Sequence, residues 1–335
     1  MPEIVVRSFS DPDAFQAAFR GADVEGVVTV PGNFHAELTR VDFQRLWMQR
    51  GDESLPRVLN LAATAVERAA IIFATNQGQP ETRVSGMALS SGEIIAWNPS
   101  APIHYRSMAA CRWGAISLTR EDITAFSEAI LGRQLTTPIF LRRIRPPAPL
   151  FSQLLSLHDA AGHLAKTAPE ILLKPEVTRA MEQALVETMI SCLASAEPVH
   201  ARSVPGDHAR VMRRLEEAVE ANSEGPLYMS ELSAAVGVPY RTLHDCCREH
   251  LGMSPKRYLW LRRMHLARRA LHRADPAKTT VTEIATSFGF WELGRFSVAY
   301  RSLFGEVPSA ALRRPPNDPK PGEIIVSARY FAKSA

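Results

Sequence analysis

One short pattern occurs twice in the last third of the chain, and it constrains the fold more than any other feature. Both copies run from small and apolar residues through a glycine and a turn into a second amphipathic segment. The first copy is centred on Gly237 and the second on Gly289, 52 residues later. Glycine ends a helix in the left-handed conformation at little cost. Each copy therefore predicts two short helices joined by a tight turn, a helix-turn-helix.

The apolar residues of both copies repeat at helical spacing. Leu243 and Cys247 would hold the second helix of the first copy on its inner side, and Phe296 and Tyr300 would do so in the second copy. Residues 255–272 predict one joining helix of roughly 27 Å. The second helices would then stand about 34 Å apart, which is one turn of B-DNA. Since an α-helix fits the major groove, the pattern predicts binding of double-stranded DNA.

The distribution of charge agrees with this prediction. Residues 1–200 carry 18 Lys and Arg against 21 Asp and Glu, whereas residues 201–315 carry 18 against 12. Positive charge is thus concentrated where phosphates would be neutralised. Six arginines of the joining helix either bind phosphates or are only solvated, and the sequence leaves both alternatives open: Arg257, Arg262, Arg263, Arg268, Arg269 and Arg273.

Residues 209–314 resemble the DNA-binding domain of the AraC/XylS family of bacterial transcription regulators. Five stretches carry the resemblance: Leu232-Ser-Ala-Ala-Val-Gly-Val, Gly252-Met-Ser-Pro-Lys-Arg-Tyr-Leu, Arg263-Met-His-Leu-Ala, Thr282-Glu-Ile-Ala-Thr-Ser-Phe-Gly-Phe and Phe296-Ser-Val-Ala-Tyr-Arg-Ser-Leu-Phe-Gly. The resemblance implies a domain of seven helices that binds two adjacent major grooves near a promoter. It also implies an activator, with RNA polymerase as a partner.

The resemblance further implies which side chains meet DNA. The base-reading candidates are Arg241, His244, Asp245, Leu293, Gly294, Arg295 and Val298. The phosphate-binding candidates are Tyr240, Arg248, Ser254, Lys256, Arg257, Ser297, Arg301 and Ser309. Asp245, Cys247 and Val298 depart from the common family pattern. An acid at position 245 would accept a hydrogen bond from a cytosine amino group, and Val298 would touch a thymine methyl group.

Residues 1–195 are expected to form a separate domain rich in strands. Short apolar or alternating runs lie between turn signals at 56–61, 70–74, 84–89, 93–97, 103–106 and 112–118, and this spacing predicts a sandwich or a barrel. The alternation that starts at Phe34 changes phase at Val41, which predicts a β-bulge. Residues 90–92 (Ser-Ser-Gly) predict a hairpin turn. A linker at 196–208 follows, and the tail at 315–335 is either disordered or forms a strand at 323–331.

Helices are predicted after these strands. Thr119 predicts an N-cap, with Asp122 three residues later, and residues 150–165 predict a second helix. Residues 175–194 carry an apolar stripe that packs on the sheet or on a second subunit: Val177, Met181, Leu185, Met189 and Leu193. We expect a homodimer. The resemblance implies a cupin-like β-barrel joined to a helical dimerisation element, so the expected fold class is α+β.

Catalytic and metal-binding chemistry is not indicated. The histidines and cysteines lack the spacing of a ligand set or of a nucleophile elbow: His35, His104, His158, His163, Cys111, Cys192, Cys246, Cys247 and His250. We therefore expect no enzyme, no metal and no cofactor. Four scattered cysteines, no signal peptide and no apolar run near 18 residues predict a soluble cytoplasmic protein that does not enter a membrane.

The interior of a small β-barrel holds one small ligand. We therefore expect the N-terminal domain to bind a small-molecule effector, with four candidate lining residues: Trp47, Trp97, His104 and Tyr105. Binding would act by favouring one of two states of the protein. In the alternative interpretation, the chain is a constitutive DNA binder whose N-terminal domain only mediates assembly.

Overall fold

The structure is a computed structural model that describes residues 2–64, 67–98, 102–135, 141–198, 206–222, 229–314 and 323–327. The N-terminal part starts with β1 (Glu3–Phe9) and α1 (Pro12–Gln16). Nine strands then follow β1 among these residues: β2 (Ala22–Val28), β3 (Ala36–Asp42), β4 (Trp47–Glu53), β5 (Arg57–Ala63), β6 (Arg68–Ala74), β7 (Thr82–Val84), β8 (Met87–Leu89), β9 (Ile94–Trp97) and β10 (Ile103–Arg106). The next elements are β11 (Cys111–Thr119), α2 (Arg120–Leu131), β12 (Leu141–Arg145), α3 (Ala148–Thr167), α4 (Pro169–Leu172), α5 (Pro175–Ser195) and β13 (Glu197–Pro198).

The C-terminal part is helical up to its last described strand. Its elements are α6 (Gly206–Ala221), α7 (Met229–Val236), α8 (Tyr240–His250), α9 (Pro255–Arg273), α10 (Val281–Ser287), α11 (Leu293–Phe304), α12 (Pro308–Arg313) and β14 (Glu323–Ser327). The predicted joining helix at 255–272 is α9. The two predicted helix-turn-helix units are α7 with α8 and α10 with α11.

The described strands form two antiparallel sheets that face each other. One has the order β13-β12-β9-β6-β11-β4-β3-β1-β14, and the other has the order β2-β5-β10-β7-β8. Side chains alternate along β11, so Trp113 and Ala115 point between the sheets while Ile116 and Leu118 pack under the helices. This arrangement confirms the predicted fold class, a sheet-rich N-terminal part with helices and a helical C-terminal part.

The predicted β-bulge near Val41 is wrong. Strand β3 pairs with β1 and β4 in an unbroken register from Ala36 to Asp42. Both faces of β3 are buried, because Leu38 packs in the core between the sheets and Val41 packs in the core under the helices. The apolar pattern changed phase for this reason and not because of an extra residue.

The predicted hairpin at 90–92 is also wrong, although the turn exists. Gly92 takes a left-handed φ of 84°, and the backbone N–H of Glu93 donates to the carbonyl of Ser90 at 3.2 Å. The turn joins β8 to β9, and these strands belong to different sheets. It therefore carries the chain from one layer to the other.

Part of the C-terminal tail forms a strand. Residues 323–327 are β14, which pairs antiparallel with β1. These five residues thus take the strand alternative, and the other residues of the predicted 315–335 tail lie outside the described part of the chain.

The helices of the N-terminal part cover the outer face of the larger sheet. Thr119 caps α2 as predicted, since its side chain accepts from the Asp122 backbone N–H at 3.0 Å. Leu185 and Met189 of the α5 stripe are buried in the core between this sheet and the helices. The stripe thus packs within the chain, the first of its two predicted alternatives, and homodimer formation stays a prediction.

Candidate nucleic-acid interface and effector cavity

The first helix-turn-helix is built as the sequence predicts. Gly237 ends α7 with a φ of 73°, and its N–H donates to the Ser233 carbonyl at 3.0 Å. Leu243 and Cys247 are buried on the inner side of α8. The opposite face of α8 carries its predicted DNA-contacting residues, which are exposed except for the half-buried His244: Tyr240, Arg241, His244, Asp245 and Arg248.

The second unit begins with a capping box. The Thr280 hydroxyl accepts from the Glu283 backbone N–H at 3.2 Å, and the Glu283 carboxylate accepts from the Thr280 N–H at 2.8 Å. Since both orphan donors of the helix start are satisfied, α10 has a defined first turn. Phe296 and Tyr300 anchor α11 in the core. The remaining face of α11 is open to solvent.

That open face is partly apolar. Val298 is 73% exposed, Gly294 and Arg295 are also exposed, and Leu293 is half-buried. The Arg295 guanidinium pairs with Glu292 at 3.0 Å, and both side chains are largely in water. Sequence reasoning missed Trp291, which precedes α11 and is 71% exposed. A large apolar side chain next to a recognition helix was the available signal.

The predicted phosphate-binding residues are distributed over both units and the start of α9. Six of them are exposed: Tyr240, Arg248, Lys256, Arg257, Arg301 and Ser309. Ser254 and Ser297 are half-buried. The Ser254 hydroxyl caps α9 by accepting from the Arg257 backbone N–H at 3.3 Å.

Three arginines of α9 face the N-terminal part of the chain. Arg262 pairs with Glu25 at 2.7 Å, and Arg269 pairs with Asp13 at 2.6 Å. Arg268 is buried and pairs with Asp11. Burial opposes ionisation of Asp11, but the nearby Arg268 guanidinium outweighs it and lowers the carboxyl pKa. Neither predicted alternative, phosphate binding or simple solvation, describes these three side chains.

Two contacts made by histidines extend this interface. The backbone N–H of Val28 in β2 donates to Nε2 of His265 in α9 at 3.1 Å, so the ring proton is on Nδ1. Burial, with Arg268 and Arg269 nearby, lowers the pKa of His265 to about 3. From β10, His104 Nε2 lies 3.0 Å from the carboxylate of Glu216 in α6. The C-terminal part is thus attached to the small sheet.

A cavity lies between the two sheets. Its empty volume is about 770 Å³, which includes its open mouth. Trp47, Trp97 and Tyr105, three of the four predicted effector residues, line it. His104 does not, because neighbouring residues of a strand point to opposite faces and Tyr105 occupies the inner one. Sequence reasoning also missed three lining arginines, which come from separate segments: Arg20, Arg57 and Arg68.

One group of side chains among the described residues is close enough to share a metal ion. The ligand atoms of His208, Glu249 and His250 lie within 4.8 Å of one another. Neutral imidazole and carboxylate are zinc-ligand types. Burial, with His104 and His208 nearby, lowers the pKa of His250 to about 3, so its ring is neutral as a metal ligand requires. His208 and Glu249, however, already form a hydrogen bond with each other at 2.7 Å. The expected absence of a metal stays a prediction.

The four cysteines are buried. Burial raises the pKa of Cys111 and Cys192 to about 12 and that of Cys246 to about 11, and it raises the pKa of Cys247 as well. A thiol is nucleophilic only as a thiolate. These pKa shifts favour the structural interpretation of all four.

Comparison with known proteins identifies the C-terminal part. Residues 232–314 match a family model described as a helix-turn-helix domain. The probable thc operon regulatory protein of Rhodococcus erythropolis is 32% identical over 209 residues, 60% of this chain and 61% of that protein. The XylDLEGF operon transcriptional activator of Pseudomonas putida is 34% identical over 101 residues, 30% of this chain and 32% of that protein. Residues 232–314 are therefore a helix-turn-helix domain of the AraC/XylS type.

One solved structure is similar to part of the chain. A probable AraC family transcriptional regulator from Rhodopseudomonas palustris is 37% identical, with 31% of this chain and 98% of that chain covered and a TM-score of 0.29. The chain spans less than two thirds of either curated AraC/XylS relative named above. Among the described residues, no helix is both long and apolar enough to cross a membrane.

Proposed function

We propose that this chain is a sequence-specific transcription regulator, an activator, that reads two adjacent major grooves of double-stranded DNA. The solvent-facing sides of α8 and α11 carry the proposal, because the second helix of each helix-turn-helix leaves its outer face uncovered. RNA polymerase and a second copy of the chain are its proposed protein partners. The chain has no catalytic role in this proposal.

Each recognition helix would read bases by different chemistry. Arg241 of α8 is exposed and would donate to a guanine, while Asp245 would accept from a cytosine. On α11, Val298 and Trp291 offer apolar surface that suits a thymine methyl group. Arg295 would have to leave Glu292 in order to reach a base. The predicted DNA site thus has one segment that polar side chains of α8 contact and one segment that more apolar side chains at α11 contact.

The N-terminal part would sense a small molecule. Trp47, Trp97 and Tyr105 support this role because they line a cavity with mostly apolar walls and a few polar groups, as small-ligand sites have. The contacts of α9 with β2 and α1 offer a route from the cavity domain to the recognition helices. A ligand acts along such a route only if it binds the two states with different affinity.

Selection of bound fragments from a random DNA library, at about 150 mM salt, tests the proposal. We expect enrichment of two specific segments about 10 bp apart. Arg241→Ala should weaken binding to the selected site by about 1–3 kcal/mol and leave random DNA unaffected. Arg112→Ala is the matched control, since Arg112 is an exposed arginine of β11 that pairs with Asp52.

Equal loss on selected and random DNA would remove the base-reading role of Arg241. Failure to enrich any sequence would contradict the whole proposal.

A further inference from the structure

The walls of the cavity combine aromatic surface with positive charge. Its described lining residues include three arginines and no carboxylate. The Arg20 and Arg68 guanidiniums lie over the Trp47 ring, at 4.0 and 3.8 Å from its centroid. An apolar body would fill the space against the aromatic rings, while the guanidiniums would bind an anionic group.

The three arginines differ in how their charge is balanced. Arg20 pairs with Asp42, and Arg57 pairs with the buried Glu53. Arg68 is 8% exposed, and its described hydrogen bonds go only to the hydroxyl and carbonyl of Ser117 and to the Arg45 carbonyl. Burial lowers the pKa of Arg68, but a guanidinium stays protonated in proteins. Among the described residues no carboxylate lies within ion-pair distance of Arg68, and Asp122 and Glu67 favour its charged form only from further away.

Two further donors on the cavity wall are unused. The Nη1 of Arg57 and the indole Nε1 of Trp97 are buried without a hydrogen-bond partner. Arg57 is 2% exposed and Trp97 is 7% exposed, so water does not readily reach them. Buried polar groups are nearly always hydrogen-bonded. Unused donors that line a cavity suggest a ligand with acceptor oxygens.

We infer that the cavity binds a small organic carboxylate with an apolar, ring-containing body. Its carboxylate would pair with Arg68 and accept from Trp97 Nε1, and its ring would lie among the aromatic walls. A neutral ligand of the same shape would leave Arg68 without a direct ion pair, and a buried charge without a direct partner is costly. As an identification of the effector class, this inference rests on the proposed function.

The test compares 3-phenylpropanoate with its neutral amide, 3-phenylpropanamide, and octanoate with octanamide. Titration calorimetry and tryptophan fluorescence on the full chain measure the four affinities. We expect each carboxylate to bind at least 10-fold more tightly than its amide, and 3-phenylpropanoate to bind more tightly than octanoate. A charge-assisted hydrogen bond supports a difference of about 10- to 100-fold.

The decisive variant is Arg68→Gln. It should abolish the preference for the carboxylate and leave the affinity for the amide unchanged. Arg112→Gln is the control, because this arginine is exposed outside the cavity. If Arg68→Gln does not fold, Trp97→Phe removes the indole donor together with part of the aromatic surface and should weaken 3-phenylpropanoate binding.

The inference is overturned if the amides bind as tightly as the carboxylates, if none of the four probes binds, or if Arg68→Gln weakens both members of a pair equally. DNA selection on the same preparation separates the two proposals. Selected DNA binding without carboxylate binding overturns only the ligand class. Carboxylate binding without DNA binding overturns the regulator proposal and leaves the ligand class standing.

Discussion

Gly51 of β4 lies opposite Trp113 of β11 in the larger sheet. A Cβ atom on residue 51 would lie 2.3 Å from the Trp113 ring, so only a glycine lets the indole pack directly against the backbone of β4. Gly51→Ala should lower the free energy of unfolding by about 1–3 kcal/mol, because a crowded core must shift. Urea unfolding measures this, and the altered fluorescence of Trp113 would locate the change in the cavity.

Gly294 of α11 provides the matched control. Nothing lies within 4 Å of a Cβ built there. Gly294→Ala should leave stability unchanged or raise it by up to about 1 kcal/mol, since alanine favours a helix. Equal stability loss in both variants would contradict the steric explanation for Gly51.

Among single elements, the contact between α9 and β2 should depend on pH. His265 accepts from the Val28 N–H only as a neutral ring, and burial lowers its pKa to about 3 from the ordinary value of 6.5. The neutral ring contributes its full stability at pH values above the pKa of histidine in the unfolded chain. This stability is lost as the pH falls from that pKa toward the lower pKa in the folded chain. Between pH 7.5 and 5.5, we expect His265 to account for a loss of about 1.4 kcal/mol.

Urea unfolding at both pH values, with His265→Gln for comparison, isolates this contribution. The variant cannot titrate, so its loss of stability should be smaller than that of the parent by about 1.4 kcal/mol. His158 is buried with a pKa lowered to about 4 and contributes a loss of the same sign in both proteins. An unchanged pH dependence in the variant would show that His265 does not hold the contact.

Local pattern predicted some elements and missed others for physical reasons. The helices α8, α9 and α11 repeat apolar residues at helical spacing, so their presence could be predicted, and the predicted bounds of 255–272 for α9 differ from the observed ones by one residue. Strand β4 was missed because its sequence, Trp-Met-Gln-Arg-Gly-Asp-Glu, has little apolar alternation. Its Glu53 is buried only because Arg57 and Trp113 bind it. Such a partner is not visible in the pattern of one strand.

The ion pairs between α9 and the N-terminal part could not be predicted from the sequence. Charge counting placed positive charge in the C-terminal part, but it could not assign a partner to each side chain. Arg268 and Asp11 pair across 257 positions, and Arg262 and Glu25 pair across 237. The exposed faces of α8 and α11 could be predicted because their pattern is local. The cavity arginines could not, since three separate segments bring them together.

This division of the arginines predicts the salt dependence of DNA binding. Each phosphate contact contributes about −0.9 to the slope of log K against log salt. Arg257 is exposed on α9 and lies over the Trp260 ring, so Arg257→Gln should reduce the slope by about one such contact. Arg269 already pairs with Asp13 and Glu25, so Arg269→Gln should leave the slope unchanged. Binding isotherms at several salt concentrations measure both slopes. If Arg269→Gln reduced the slope as much as Arg257→Gln, then α9 would have to leave the N-terminal part when DNA binds.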